Sequence, residues 1–433
     1  MTREPYHDYS ATDGAPRRNI LLRLMHGDIV RWVCALVGFT TPFTVQLMGN
    51  FPLAEWILLA AAGIGLLLSV RYRRWPDGVF HTRWFLVVAA CLLLGLMAYV
   101  FSDLYRGSAS QDYLRGWARM VFLAIDFLGL AYLIGSDWRR WLAVKAGLIF
   151  GVLAEVCVNG PLYGEWWKFG FAGPITLLAL ILAARRGLLT SVLVAAGLGV
   201  LHLTLGFRNF GGICLVTASL LLIPRVPPSF RKAAIAFALV TAAVTITAVY
   251  LFLDETAGTT HDASNKERYA MVSVASDAFL ASPLVGHGSW FSATHLVRKI
   301  EAKRMKIEDG FGGYSEQEAA AISIHSQLLV ALAEGGFFGG LFFLVYGGLV
   351  IWALLYALQA ERPQQALLIF TLIGAMWDLA MSPFSGPARV HIAAASVLAL
   401  LLWLEHKGLI EWKYPPGESQ LNERHETAQS SYS

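Results

Sequence analysis

Apolar segments of helix-spanning length alternate with short polar connections along almost the whole chain. A membrane-crossing helix needs about 20 predominantly apolar residues, and the pattern predicts about twelve such spans. Their expected limits are 32–48, 52–70, 84–101, 117–135, 141–158, 169–184, 188–206, 210–224, 233–253, 335–357, 364–382 and 389–405. Segments 169–184 and 210–224 are short for a crossing and read as tilted or broken. One stretch departs from the alternation. From Asp254 to Ala321 the sequence turns polar, charged and glycine-rich, then ends in Ile324-His325-Ser326-Gln327 and runs into another apolar segment. The expected division is a polar tail over 1–31, spans over 32–253, a large loop with short helices over 254–325, further spans over 326–405, and a tail over 406–433.

Composition agrees with that layout. The chain has 433 residues, of which 15% are charged, and its mean hydropathy is +0.54. Soluble domains carry roughly 25% charged residues, so a water-facing exterior could not be dressed here. The fold class is therefore an all-α polytopic membrane protein. Cys34, Cys91, Cys157 and Cys214 all fall in apolar segments without metal-like spacing and read as small packing residues. The N-terminal tail is basic (Arg3, Arg17, Arg18, Arg23, Arg31) and lacks a short apolar core followed by a cleavage site. The first helix is thus expected to be a permanent anchor.

Charge sets the orientation. Arg and Lys concentrate in alternate connections: Arg71, Arg73, Arg74 and Arg83; Arg139, Arg140 and Lys145; Arg185 and Arg186; Arg225, Arg231 and Lys232; Arg362. The opposite connections hold only Arg106, Arg115, Arg119, Lys168, Arg208 and Arg389. By the positive-inside rule both termini are cytoplasmic and 254–321 is external, which in a double-membraned bacterium is the periplasm. Tryptophans such as Trp32, Trp75, Trp138, Trp141 and Trp166 flank the spans and read as interfacial anchors.

Several charged or titratable positions call for a reason. Arg208 lies in the external turn Gly206-Phe207-Arg208-Asn209-Phe210-Gly211-Gly212. It either snorkels to the interface or presents its planar fork to a phosphate. Arg268 opens a helical pattern with Tyr269, Val272, Ala275, Phe279 and Leu280 on one face, which stops at Pro283. It is a solvated surface cation or a second phosphate ligand. A second external helix is expected from Ser315 into Glu334, with Ile322, His325, Leu329 and Leu332 on one stripe. His325 is then a packed histidine or a base. His287, in a Gly-His-Gly turn, is the competing imidazole. Asp126, Glu155 and Asp378 are acids inside spans, and Asp378 is placed to reach the external face.

Read together, these positions resemble a family signature. His325-Ser326, nine residues, then Gly336-Phe337-Phe338-Gly339 is similar to the histidine motif of the bacterial O-antigen ligase and polymerase family (Wzy/WaaL-type membrane glycosyltransferases, GT-C-like in architecture). The ligase pattern has a small residue or tyrosine where this chain has Phe342. Gly206-Phe207-Arg208 is similar to the family's arginine turn. Arg268 followed by Ala281-Ser282-Pro283-Leu284-Val285-Gly286-His287-Gly288 is similar to its arginine helix ending in a Pro-Leu-x-Gly turn.

The resemblance implies a function: an O-antigen ligase passing a glycan from undecaprenyl pyrophosphate to a hydroxyl of lipid A–core, with membrane lipids around it and no nucleic acid. It implies catalytic roles for His325, Arg208 and Arg268, the two arginines also binding substrate. No cofactor is expected, and the absence of an Asp-x-Asp pair on the external face favours a metal-independent, inverting reaction. Within the family, an O-antigen or exopolysaccharide polymerase is the alternative. From another class, a lipid-linked glycan transporter would explain the bundle and the buried acids, but not phosphate-ready arginines and a histidine gathered on one face.

Overall fold

The computed structural model describes residues 28–46, 50–73, 75–76, 78–161, 164–237, 240, 244, 260–289 and 324–411. The described chain is mostly helical, as its long apolar runs require, because inside a bilayer each backbone N–H and C=O must be paired within the segment. In chain order the elements are α1 (Asp28–Thr40), a hairpin of β1 (Thr44–Gln46) and β2 (Asn50–Pro52), α2 (Leu53–Tyr72), α3 (Arg83–Arg106), α4 (Ser110–Ile134) and α5 (Trp138–Asn159). A π turn over Trp167–Phe171 leads into α6 (Ala172–Ala184), followed by α7 (Leu188–Thr204) and α8 (Arg208–Leu220). Then come α9 (Thr260–Ala281), α10 (Gln327–Ala357), α11 (Gln365–Met381) and α12 (Gly386–His406). Among the described residues, seven helical segments are long and apolar enough to cross a membrane. The protein is a multi-pass helical membrane protein. Of the expected span 233–253, only 233–237, 240 and 244 are described, all helical.

Three expectations are corrected. The first span stops at Thr40 rather than 48. Pro42 supplies no N–H and disfavours helix at Thr41, and the Thr40 and Thr41 hydroxyls donate to the Leu36 and Val37 carbonyls, each at 2.7 Å. The chain then turns through the short hairpin, Thr44 opposite Pro52. The buried face of α9 is Ala270, Met271, Val274, Ala275 and Ala278; of the expected face Ala275 is buried, Val272 and Phe279 are half-buried, Leu280 is exposed, and the side chain of Tyr269 lies outside the described residues. Small residues win because α9 packs closely on the first turns of α10, where Val330 and Ala333 complete the cluster. Finally, Trp138 and Trp141 are buried packing residues, whereas Trp32, Trp75 and Trp166 are exposed as expected of anchors. Cys157 is exposed and the other three cysteines are buried.

Helix α12 forms the middle of the bundle and is buried on all sides from Ala393 to Leu402; its small residues let neighbours approach closely. Helices α1 and α5 meet backbone to backbone, since a Cβ on Gly38, Gly147 or Gly151 would overlap a main-chain carbonyl of the other helix. One end of the bundle is fastened by arginines: Arg225 to Glu361 (2.7 Å), Arg362 to Glu405 (2.8 Å), and Arg231 donating to the carbonyls of Val226, Pro224 and Gln359. The opposite end carries the β hairpin, α9 and the candidate site.

Candidate functional site

The site is built around a break in α10. Gly336 has φ 64° and ψ −162°, a conformation essentially restricted to glycine, so the helix runs as two pieces, Gln327–Gly335 and Phe337–Ala357. The break frees backbone groups, and the turn after α9 takes them up. His287 N donates to the Ala333 carbonyl at 3.0 Å, Gly288 N to the Glu334 carbonyl at 2.9 Å, and Phe337 N to the Pro283 carbonyl at 2.7 Å. The fit is close: a Cβ at Gly286 would strike the Glu334 carbonyl, and one at Gly336 the Leu284 carbonyl. The Pro-Leu-x-Gly turn and the glycines following the histidine motif are therefore two halves of one main-chain joint.

Side chains from α3 and α4 lock that joint. Arg119 forms a buried ion pair with Glu334, and the Tyr99 hydroxyl donates to the same carboxylate at 3.0 Å. Ser102 Oγ donates to the Glu334 carbonyl at 2.9 Å. Arg106 donates to the Gly286 carbonyl (3.0 Å) and to Ser282 Oγ (2.7 Å). Asp103 accepts from Ser289 N, Ser289 Oγ and Trp117 Nε1. Arg119, expected in a connection, lies inside α4. Its burial is tolerable because its charge is matched.

His325 sits two residues before α10, not on a helix stripe. Ser326 (φ −163°, ψ 118°) is the N-cap, its hydroxyl accepting from Leu329 N at 3.2 Å. An N-cap residue takes extended rather than helical angles, which ends the expected 315–334 helix; 315–323 lie outside the described residues. The imidazole is half-buried, with Nδ1 3.2 Å from Met271 Sδ on α9. Arg268 lies in α9 three residues before Met271, a spacing that shares a helix face; its side chain lies outside the described residues. His287 caps the end of α9 instead. A carbonyl can only accept, so the imidazole Nε2–H donates to the Ala278 carbonyl at 2.8 Å.

Arg208 is the first residue of α8, half-buried. Gly206 (φ 76°) makes the turn. His202 holds it from below: Trp167 Nε1 donates to His202 Nδ1 (3.1 Å), so Nε2 carries the proton and donates to Thr176 Oγ1 (2.7 Å), which donates to the Ala172 carbonyl (2.7 Å). Phe207 and Phe210 stack at 4.5 Å and pack edge-on to the His202 ring. A guanidinium beside a helix N-terminus favours an anion twice over, by charge and by the unsatisfied amides.

Between the Arg208 turn and the start of α10 lies a cavity of about 280 Å³. Phe207, Asn209 and Phe210 form one wall and Gln327 another; α11 and α12 contribute Thr371, Asp378 and His391, and Lys145 and Tyr346 also line it. Lys145, expected in a cytoplasmic connection, is a buried residue of α5. Asp378 accepts from Ser382 Oγ at 2.7 Å. The structure thus places Arg208 and His325 next to residues of one cavity, with Arg268's helix packed on His325.

Residues 171–344 match the family model of the O-antigen ligases. The chain carries an O-antigen ligase-family domain. No curated protein matches the sequence. The ligase-family region runs from the end of the π turn into α10, and so holds Arg208, Arg268, His325 and both halves of the joint. It supports ligase- or polymerase-type glycosyltransfer acting on lipid-linked glycans at a membrane. Phe342, the departure from the ligase pattern, is fully buried and lies parallel to Tyr346 at 6.0 Å, so it is a packing residue. Sequence reasoning missed Glu334, Arg119, Gln327 and Lys145. The signal was an ionisable or amide side chain inside an apolar run, which rarely stays unless paired or lining a polar space.

Proposed function

We propose that this protein is an O-antigen ligase-type glycosyltransferase that moves a glycan from undecaprenyl pyrophosphate to a hydroxyl of lipid A–core. The observation that carries the reading is the joint between the Pro283–Gly288 turn and Gly336, which binds Arg268's helix to the segment led by His325, next to a cavity walled by the Arg208 turn. In this reading Arg208 and Arg268 hold the pyrophosphate through charge-assisted bonds. His325 takes the acceptor hydroxyl's proton at Nε2. The acceptor oxygen bonds to the anomeric carbon as the carbon–oxygen bond to phosphate breaks, and undecaprenyl pyrophosphate leaves with that electron pair. Attack opposite the leaving group inverts the carbon. No metal is invoked, since two cations serve the leaving group. The chain crosses the inner membrane about twelve times, with both termini cytoplasmic and the 254–325 loop in the periplasm.

The test is His325→Ala in a strain lacking its own copy. General-base catalysis contributes roughly 10²–10⁴-fold, so O-antigen should cease to reach lipid A–core; normal capping refutes the base. Phe342 in place of a small residue or tyrosine favours a second reading, a polymerase whose acceptor is another lipid-linked repeat. A deletion strain separates them. Accumulated lipid-linked polymer marks a ligase, and single repeats on core mark a polymerase.

A further inference from the structure

The cavity is lined by an amide that none of the described residues uses. Gln327 is completely buried, and among the described residues neither its Oε1 nor its Nε2 has a hydrogen-bond partner. Thr371 Oγ1, on the same cavity, is also unpartnered. Buried polar groups are normally paired, and each exception asks for an explanation. Gln327 is the first residue of α10, two positions from His325, and it faces a space bounded by the turn that carries Arg208.

The chemistry of the walls narrows the occupant. Among the described residues the cavity is lined by one cation, Lys145, and one carboxylate, Asp378, so neither sign of charge dominates these walls. A primary amide offers two donors and an acceptor, and a hydroxyl offers a donor and acceptors. A ligand that both gives and takes hydrogen bonds at several points satisfies this set. Phe207 and Trp377 add flat apolar surface. Mixed donors and acceptors against aromatic faces suit a neutral sugar ring. A volume of about 280 Å³ is near the lower end of small-molecule sites, roughly 300–1,000 Å³, and admits a single ring rather than a chain of them.

We infer that this cavity binds the first sugar of the lipid-linked donor, the one joined to the pyrophosphate, with Gln327 as its main hydrogen-bonding contact and Thr371 and Asp378 as further ones. The inference rests on the donor assignment made above. It places the reacting sugar between the Arg208 turn and His325 and makes Gln327 a determinant of which first sugar is accepted.

The experiment compares two probes on purified protein in lipid nanodiscs: undecaprenyl pyrophosphate alone, and the same lipid bearing one N-acetylglucosamine. Further single sugars serve as a panel. Dissociation constants are measured for the wild type and for Gln327→Met, which keeps the side chain's length and removes the amide. The wild type should bind at least one sugar-bearing lipid about tenfold more tightly than the bare lipid, the worth of one or two hydrogen bonds. Gln327→Met should erase that difference, leave bare-lipid affinity unchanged, and melt at or above the wild-type temperature, because the amide holds none of the described residues in place. Equal wild-type affinity for the bare lipid and every sugar-bearing lipid overturns the sugar site and leaves the donor assignment standing. Failure to bind any of these lipids sinks both. A Gln327→Met protein that melts early, or loses both affinities equally, also overturns the proposal, since it would make the amide a structural group.

Discussion

Gly336→Ala tests the main-chain joint directly. At φ 64° and ψ −162° an alanine meets backbone strain of about 1–3 kcal/mol. Its Cβ would also overlap the Leu284 carbonyl, so the turn must withdraw. Withdrawal puts at risk the hydrogen bonds from His287 N, Gly288 N and Phe337 N, each with a net value of about 0.5–1.5 kcal/mol. Together these come to roughly 2.5–7.5 kcal/mol. Gly348→Ala is the control. It lies in the same helix with nothing within 4 Å of an added Cβ, where alanine gains up to about 1 kcal/mol from helix propensity. Thermal melting in nanodiscs should show Gly336→Ala lower by about 3 °C or more, with Gly348→Ala unchanged or higher. Transfer by Gly336→Ala should fall as well, because His325 leads the displaced segment. A Gly336→Ala protein that melts and transfers like Gly348→Ala would refute the joint as the device that places the histidine.

Arg119→Met alone strands the Glu334 carboxylate and should cost about 3–5 kcal/mol, whereas Arg119→Met with Glu334→Leu and Tyr99→Phe should recover most of it; melting curves of the set decide. Arg208→Lys keeps the charge and loses the fork, so transfer should fall by about tenfold or more with melting unchanged. Undiminished turnover argues against bidentate phosphate contact. His287→Ala should lower stability by about 1 kcal/mol through loss of the α9 cap yet transfer at the wild-type order of magnitude, while His325→Ala falls about 10²–10⁴-fold; equal losses in the two variants would undo the distinction between the histidines.

The bundle was legible because apolar run length and helix length obey the same rule. The expected limits for 52–70, 141–158, 364–382 and 389–405 lie within a few residues of α2, α5, α11 and α12. The start of α10 was not legible, because Gln327 and Glu334 interrupt the apolar pattern and moved the expected span to 335, so that only the residue before the break remained of the first piece. The three motifs were found as sequence strings, but their mutual contact could not be read from them. It runs through carbonyl and amide groups that every residue possesses. The α9 face was partly misread for a related reason: Ala275 was expected there and is buried, but hydrophobic size also points to Val272, Phe279 and Leu280, while close helix packing selects Ala270 and Ala278. Arg119 was counted as a connection charge since its partner, Glu334, lies far away in the chain, and Lys145 since the cavity it shares with Asp378 cannot be seen in the sequence.

A hinge made of main-chain atoms has a consequence for how such proteins drift over time. Little in the Pro283–Ser289 turn depends on what Leu284 or Val285 carry outward, since Leu284 is exposed and the bonds run through the peptide groups. Substitution can proceed at Leu284 and Val285 so long as Gly286, Gly288 and Gly336 stay bare. Descendants of this fold should therefore keep a sparse skeleton of glycines around one imidazole and its two arginines, while the turn between them changes.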